Sequence, residues 1–184
     1  MRRLGTTKPL GTGLAGLAAL ATAATLALTG CGSESDPEPE RSSSGSFPVT
    51  VGTTTVDQRP TRIVSLSPTA TEILFAIGAG EQVTAVDDQS DHPESAPMTD
   101  LSGFKPNAEA VAARTPDLVV VSHDTDKIVD QLTTLKIPVY LAEAADSLDD
   151  MYQQMDELGA LTGHRGEAGD LVTTIKTDIE SIVN

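Results

Sequence analysis

The sequence predicts an α/β fold in which helices flank a parallel sheet and a long helix follows at the end of the chain. The first observation is that apolar runs of strand length alternate with helical patterns between residues 62 and 141. Such alternation is typical of parallel strands joined by right-handed crossovers. The second observation is the run DLVVV at residues 117–121. Its apolar residues do not alternate with polar ones, as expected of a strand covered on both faces.

The first part of the domain is predicted to contain a hairpin, two strands and a helix. Ser67-Pro68 opens the helix, Glu72 stands three residues after Thr69 as in a capping box, and the glycines at the end of the helix favour a left-handed cap. The predicted elements are hairpin strands at 48–51 and 53–56 around Gly52, a strand at 62–66, the helix closed at residues 78–80, and a strand at 83–86.

The second part continues this alternation and then becomes helical. Asn107 is a suitable N-cap residue, and Ser147 with an acidic residue three positions later resembles a capping box. The predicted elements are a polar loop at 87–106, a helix at 107–114, a strand at 117–121, a helix at 126–135, a strand at 139–141, a helix from Ser147 to Gly163, and helical apolar spacing from about Arg165 onward.

The N-terminus has the layout of an export signal. Residues 1–8 are basic, and residues 10–28 are uncharged and rich in Leu, Ala, Gly and Thr, which is the pattern of a secretory signal. Residues 28–31 (LTGC) resemble a bacterial lipobox, whose cysteine receives a diacylglyceryl group. We therefore expect a lipoprotein signal peptide at residues 1–30 and lipidation of Cys31, the single cysteine. An ordinary signal peptide followed by a free cysteine is the alternative.

The remaining sequence divides into a tether, a folded domain and a terminal helix. Residues 32–46 contain no large apolar side chain. Such a segment cannot bury enough surface to become ordered. We expect a disordered tether at residues 31–46, an α/β lobe at residues 47–163, and the start of a long helix at residues 164–184.

The net charge of the sequence limits the classes of partner that can be expected. The sequence has 27 acidic and 12 basic residues and a net charge of −15. Because three of the basic residues precede position 31, residues 31–184 carry a net charge of −18. Proteins that bind nucleic acids neutralise phosphates with clustered Lys and Arg. We therefore expect no nucleic-acid partner, and the sequence indicates no cofactor because it has neither a dinucleotide fingerprint nor a P-loop.

Two chemistries are considered at the C-terminal ends of the strands, where open parallel sheets bind their ligands. Ser67 could serve a small α/β hydrolase, but the G-x-S-x-G elbow is absent and Pro68 favours a helix entry. His92 and His123, with neighbouring acids, could bind zinc or iron. No tight ligand spacing supports that site, and a solvated acidic loop edge is the alternative.

Six short motifs follow one another along the domain: residues 62–74 (RIVSLSPTATEIL), 78–80 (GAG), 91–93 (DHP), 106–109 (PNAE), 116–120 (PDLVV) and 158–163 (LGALTG). In this order they resemble the N-terminal lobe of ABC-importer substrate-binding lipoproteins of the ferric-siderophore/cobalamin, helical-backbone family. The resemblance implies one lobe of a class III periplasmic-binding-protein fold, in which the helix from about Arg165 connects two lobes. The second lobe is absent from this sequence, and we interpret the chain as truncated.

The resemblance also implies a function without catalysis. We expect a receptor, lipid-anchored on the extracytoplasmic face of the cell membrane, that captures an iron–siderophore or a cobalamin-like chelate and delivers it to the permease subunits of an ABC importer. Glu109 matches the carboxylate that docks onto permease arginines. A free metal-ion receptor that uses His92 and His123, or less favourably a small hydrolase, is the alternative. The residues expected to line the ligand site are Ser67, Thr69, Gln89, Phe104, Ser122 and His123.

Overall fold

The computed structural model describes residues 46–183. The predicted export signal, Cys31 and the predicted tether up to residue 45 lie outside the described residues. Within residues 46–183, no helix combines the length and the apolar character that a membrane crossing requires.

The centre of the fold is a five-stranded parallel sheet, which confirms the predicted fold class. Its strands are β3 (Ile63–Leu66), β4 (Val83–Asp87), β5 (Met98–Leu101), β6 (Leu118–Val121) and β7 (Val139–Leu141), and their spatial order is β5-β4-β3-β6-β7. A separate antiparallel hairpin precedes them, formed by β1 (Val49–Val51) and β2 (Thr54–Val56). It turns at Gly52, whose φ of 54° is in the left-handed region that glycine adopts at little cost.

Five α-helices cover the two faces of the sheet. They are α1 (Pro68–Ala76), α2 (Ala108–Ala112), α3 (Ile128–Thr134), α4 (Leu148–Thr162) and α5 (Arg165–Val183), with short 3-10 turns at Gly80–Gln82 and Thr125–Lys127. One core cluster joins the sheet to α1, α4, α5 and the hairpin, and the other joins it to α2 and α3.

The position of strand β6 explains why its sequence is apolar throughout. Leu118 and Val120 belong to the first core cluster, whereas Val119 and Val121 belong to the second. Successive side chains of a strand point to opposite faces, so a central strand between two helical layers needs apolar residues at every position. All four side chains are at most 2% exposed, and the interpretation of this run as a doubly covered strand is confirmed.

Three local predictions need correction. Residues 98–101 form strand β5 within the segment predicted to be a polar loop; it is an edge strand in which only Leu101 is buried, so no apolar pattern marks it. The predicted helix at 126–135 becomes regular only at Ile128, because Asp126 and Lys127 have φ angles of 53° and 59°. The capping box of Thr69 and Glu72 does not form, since Ser67 caps α1 and its Oγ accepts a hydrogen bond from the Ala70 amide at 3.3 Å.

The junction between α4 and α5 is tightly built. Helix α4 ends at Gly163, whose φ is 78°, and Gly159 packs so closely that an added Cβ would lie 2.5 Å from the Ala168 Cβ. Arg59 clasps the junction: its Nε donates to the Thr162 carbonyl at 3.2 Å and its Nη2 donates to His164 Nε2 at 2.7 Å. Burial, followed by the charge of Arg59, lowers the pKa of His164. The long helix predicted from about residue 165 is thereby anchored to the lobe at its first turn.

Candidate functional site

A buried polar network lies beneath the C-terminal edge of the sheet. Thr71 Oγ1 is 2.9 Å from Ser65 Oγ and 3.1 Å from Ser90 Oγ, and Ser90 Oγ donates to Asp87 Oδ1 at 2.6 Å. Ser65 Oγ in turn donates to the Ser67 carbonyl at 3.2 Å. All five residues are buried. The network therefore joins β3, α1 and the loop after β4 through groups that have partners away from water.

The loop that follows β5 packs directly onto this network. A Cβ on Gly103 would lie 2.6 Å from Asp87 Oδ2 and 2.7 Å from the Leu66 carbonyl oxygen, distances that only a hydrogen in place of a side chain allows. Phe104 is the next residue, and its side chain is 73% exposed. The close approach of Gly103 thus sets where this large aromatic ring emerges from the surface.

A pocket of about 700 Å³, which we name the edge pocket, opens beside Phe104. It lies where β3, β6 and β7 end, at the carboxyl edge where parallel sheets bind ligands. Its volume is within the range of roughly 300–1,000 Å³ that is usual for small-molecule sites. Its lining consists of Ser67, Pro68, Thr69, Phe104, Ser122, His123, Ala142, Glu143, Ala144, Ala145, Asp146, Ser147, Leu148, Met151 and Gln154.

Five of the six residues predicted from the sequence to bind ligand lie in this lining. Ser67 contributes from a buried cap position, Thr69 is exposed at the start of α1, and Ser122 Oγ is 3.0 Å from His123 Nδ1. Gln89 is not part of the edge pocket: its side-chain amide donates to the carbonyl of the preceding residue at 3.1 Å. The structure therefore brings together Ser67, Thr69, Phe104, Ser122 and His123 and leaves Gln89 apart.

The edge pocket also contains a loop that the predicted ligand set left out. Residues 142–147 connect β7 to α4, and Gln154 from α4 donates to the Glu143 carbonyl, which holds the loop against the helix. Ser147 caps α4, since its Oγ accepts from the Asp150 amide at 3.2 Å. The available signal was position alone, because this loop follows a strand at the same sheet edge while its residues suggest no particular chemistry.

The mouth of the edge pocket has exposed apolar and acidic side chains. Phe104 and Leu148 are 73% and 50% exposed and line the same pocket, so together they give it an exposed apolar surface. Glu143 and Asp146 are the charged residues of the lining, and no Lys or Arg occurs among the described residues that form it. The pocket thus offers apolar contact, hydroxyl groups and negative charge.

Residues 46–183 show the geometry of neither alternative, the hydrolase that uses Ser67 or the metal-ion site that uses His92 and His123. The Ser67 side chain accepts the Ala70 amide, and the residue is 3% exposed, so its hydroxyl is a helix cap and not an accessible nucleophile. His123 lines the edge pocket, whereas His92 lines a different groove. No group of three or more His, Cys, Asp or Glu side chains in these residues is arranged to hold a metal ion.

The groove that contains His92 is mainly apolar. It has a volume of about 610 Å³ and lies between α1, α4 and α5. Its lining consists of Thr69, Glu72, Ile73, Phe75, Ala76, His92, Pro93, Met151, Met155, Leu171 and Ile175. Glu72, interpreted from the sequence as a capping residue, is an exposed member of this lining.

Glu109 lies in the first turn of α2, next to the same sheet edge. Asn107 caps this helix, and its Oδ1 accepts from the Ala110 amide at 2.9 Å. The Glu109 side chain is exposed, and neither of the ion pairs within residues 46–183 includes it. The helix dipole stabilises a carboxylate at this position, and the charge remains available to an external cation.

Comparison with known proteins points to one family. The family model described as "Periplasmic binding protein" matches residues 63–184. The "Uncharacterized ABC transporter substrate-binding lipoprotein YvrC" of Bacillus subtilis is 29% identical over 181 residues, covering 91% of this chain and 57% of the relative. The "Vitamin B12-binding protein" of Yersinia pestis is 29% identical over 129 residues, covering 68% of this chain and 46% of the relative.

A solved structure gives the same picture. A possible iron-binding (periplasmic solute-binding) protein from Staphylococcus epidermidis superposes with a TM-score of 0.61 at 27% identity, covering 69% of this chain and 52% of the other. The chain therefore spans about half the length of the relatives it matches. The resemblance stated from the sequence motifs is confirmed.

The close approach of Gly103 can be tested by adding one methyl group. We expect Gly103→Ala to lower the free energy of unfolding by about 1–3 kcal/mol, because the methyl group overpacks a rigid site. Gly169→Ala is the matched control, since no atom lies within 4 Å of an added Cβ in α5 and alanine favours helix by up to about 1 kcal/mol. Urea denaturation measures both. Equal stability of Gly103→Ala and the unmodified protein would contradict the packing described here.

Proposed function

This chain belongs to the periplasmic binding protein family, and on that premise we propose that it is a lipid-anchored extracytoplasmic receptor that delivers a metal chelate to an ABC importer. The chelate is an iron–siderophore or a cobalamin-like molecule. The observation that carries this proposal is the edge pocket, a small-molecule-sized site at the carboxyl edge of the sheet with exposed Phe104 and Leu148 at its mouth.

The chemistry of the edge pocket supports a chelate as ligand. A wrapped metal chelate is bulky and largely organic, and it suits a wide apolar site with a few hydroxyl groups. The names of two similar proteins refer to vitamin B12 and to iron binding. A free metal ion would need converging ligands, and the described residues do not offer them.

Binding without catalysis is the simplest use of this site. The relatives reported above are named as binding and transport proteins, which supports the prediction that the chain is not an enzyme. Ser67, the one serine weighed as a nucleophile, already accepts a helix amide. Transport by an ABC importer then requires two surfaces, one for the ligand and one for the permease.

Glu109 is the proposed contact with the permease. Its carboxylate is exposed at the start of α2, and α2 follows directly on the loop that carries Phe104. An exposed carboxylate at the start of a helix suits bidentate pairing with an arginine of a membrane subunit. Docking at this position would place the permease next to the edge pocket, where ligand release must occur.

Lipidation of Cys31 would hold the receptor at the membrane. The sequence before Cys31 has the export pattern described above, and one relative is named a lipoprotein. In a bacterial host, Cys31→Ser should move the protein from the membrane fraction to the soluble fraction, because the acceptor thiol of the lipid is lost. Fractionation and immunoblotting measure this change, and an unchanged membrane fraction would contradict the anchor.

The ligand proposal is tested by titrating the mature protein with ferric hydroxamates and with cyanocobalamin. We expect one of these chelate classes to quench the fluorescence of Tyr140 and Tyr152. Phe104→Ala should weaken that binding by about twofold to tenfold, because an aromatic contact contributes about 0.5–1.5 kcal/mol. Met98→Ala is the control, since Met98 is also exposed, at 57%, but lies outside the edge pocket. Equal effects of the two substitutions would contradict the proposed site.

The docking proposal separates transport from binding. Glu109→Ala should reduce chelate uptake by cells at least several-fold, because a charge-assisted pair with the permease is lost, while the affinity for ligand stays unchanged. Glu81→Ala removes an exposed carboxylate at another place and should preserve both quantities. An equal loss of uptake and affinity would show that Glu109 belongs to the ligand site and not to a docking surface.

A further inference from the structure

We propose that the edge pocket selects chelates that present a cationic or neutral, hydrogen-bond-donating face to this lobe, and that Glu143 and Asp146 determine this selectivity. The inference rests on the proposed function, because it concerns the ligand of the same pocket. It goes further by naming the charge class that the pocket accepts and the residues that impose it.

The first argument is the balance of charge in the pocket. Glu143 and Asp146 contribute two carboxylates, and no Lys or Arg stands against them among the described lining residues. Neither Glu143 nor Asp146 takes part in the ion pair of Arg114 with Asp100 or in the contact of His164 with Glu167, so no neighbouring cation is seen to neutralise the carboxylates of the pocket. An anionic chelate that enters this pocket meets like charge, whereas a cationic one supplies the missing partner.

The second argument is the aromatic ring at the mouth. The 73% exposed side chain of Phe104 lines the same pocket as Glu143 and Asp146. The face of an aromatic ring attracts cations through its quadrupole, and exposed carboxylates attract them through charge. Both features favour the same kind of ligand group, although they come from loops that follow different strands.

The third argument is that the loop holding the carboxylates is fixed in place. Ala142 is buried and its amide donates to the Val121 carbonyl at 2.8 Å, and the Glu143 carbonyl accepts from Gln154. At the other end Ser147 caps α4. The two acidic side chains therefore extend from a backbone that is tied down on both sides, as a site that discriminates between ligands requires.

Asp146 and Glu143 differ in whether a structural role could explain a carboxylate at that position. Asp146 stands directly before the cap of α4, where a carboxylate also benefits from the helix dipole. Glu143 lies three residues earlier and has no such structural reason. The chain as a whole is acidic, so a solvated acidic loop is the competing explanation, and each residue has to be tested separately.

The test uses three ferric trihydroxamates that share one chelate core and differ in a single terminal group. One carries a free amine that is protonated at pH 7, one carries the acetylated amine, and one carries the succinylated amine with a terminal carboxylate. We expect affinity for the mature protein to fall in that order. High salt should reduce the differences, because exposed charges are screened.

The variants identify the residues responsible. Glu143→Gln and Asp146→Asn should each lower the preference for the amine over the succinylated chelate by about threefold to tenfold, as expected for one partly exposed charge contact. Glu81→Gln removes a carboxylate outside the edge pocket and should leave the preference unchanged. Thermal denaturation of each variant shows that it is folded.

The outcomes distinguish this inference from the function on which it rests. Equal or tighter binding of the succinylated chelate, or an unchanged preference in both pocket variants, overturns the selectivity while the receptor function stands. Failure of every trihydroxamate and of cyanocobalamin to bind overturns the proposed receptor function, and the selectivity with it. Loss of preference in Glu143→Gln alone supports Glu143 and removes Asp146 from the assignment.

Discussion

The carboxyl edge of the sheet depends on a buried network of hydroxyl groups that ends at a carboxylate. Ser65, Thr71, Ser90 and Asp87 are all shielded from water, where an unsatisfied polar group is costly and a satisfied network is rigid. This hydrogen-bonded network joins the central strand to the first helix and to the loop after β4. Gly103 packs on Asp87, so the buried network also fixes the position of the surface loop that carries Phe104.

The order of the strands explains why the edge pocket forms on this lobe. The first βα unit, β3 with α1, stands at the middle of the sheet, and the next strands along the chain are added on one side and then on the other. The loops after β3, β6 and β7 therefore lie side by side. The loop after β5 approaches them at Gly103, which packs against the Leu66 carbonyl. Residues that are distant in sequence, such as Thr69, His123 and Asp146, come to share one cavity.

The parts of the fold that were predictable are those governed by local or periodic rules. Strand β6 was evident because both of its faces are buried, whereas β5 was missed because Leu101 alone carries its burial. Ser67-Pro68 was correctly predicted to open α1, since proline favours the first helical position, whereas the capping box of Thr69 and Glu72 was wrong because Ser67 is the cap. Position at the strand ends was enough to predict Ser67, Thr69, Ser122 and His123 in the edge pocket lining.

What could not be predicted depends on contacts between distant segments. The contact of Gly103 with Asp87 joins two loops whose separation in space no local pattern reveals. Gln89 follows a strand as Ser122 does, but its side chain turns back to its own backbone, so an equivalent sequence position did not yield an equivalent role. The strand at 139–141 was predicted, which puts the loop that follows it at the carboxyl edge, but only the folded chain shows that this loop lines the pocket.

Helix α5 is packed against the lobe at its start and exposed at its far end. Its 19 residues correspond to about 28 Å at 1.5 Å per residue. Ala168 and Val172 near its start are buried, whereas Ile182 and Val183 at its far end are 82% and 77% exposed. Because Gly159 packs against Ala168 and Arg59 holds Thr162 and His164, the direction of the whole helix is set at its first turn. The apolar side chains at its far end are thereby held at a fixed distance and direction from the α4–α5 junction.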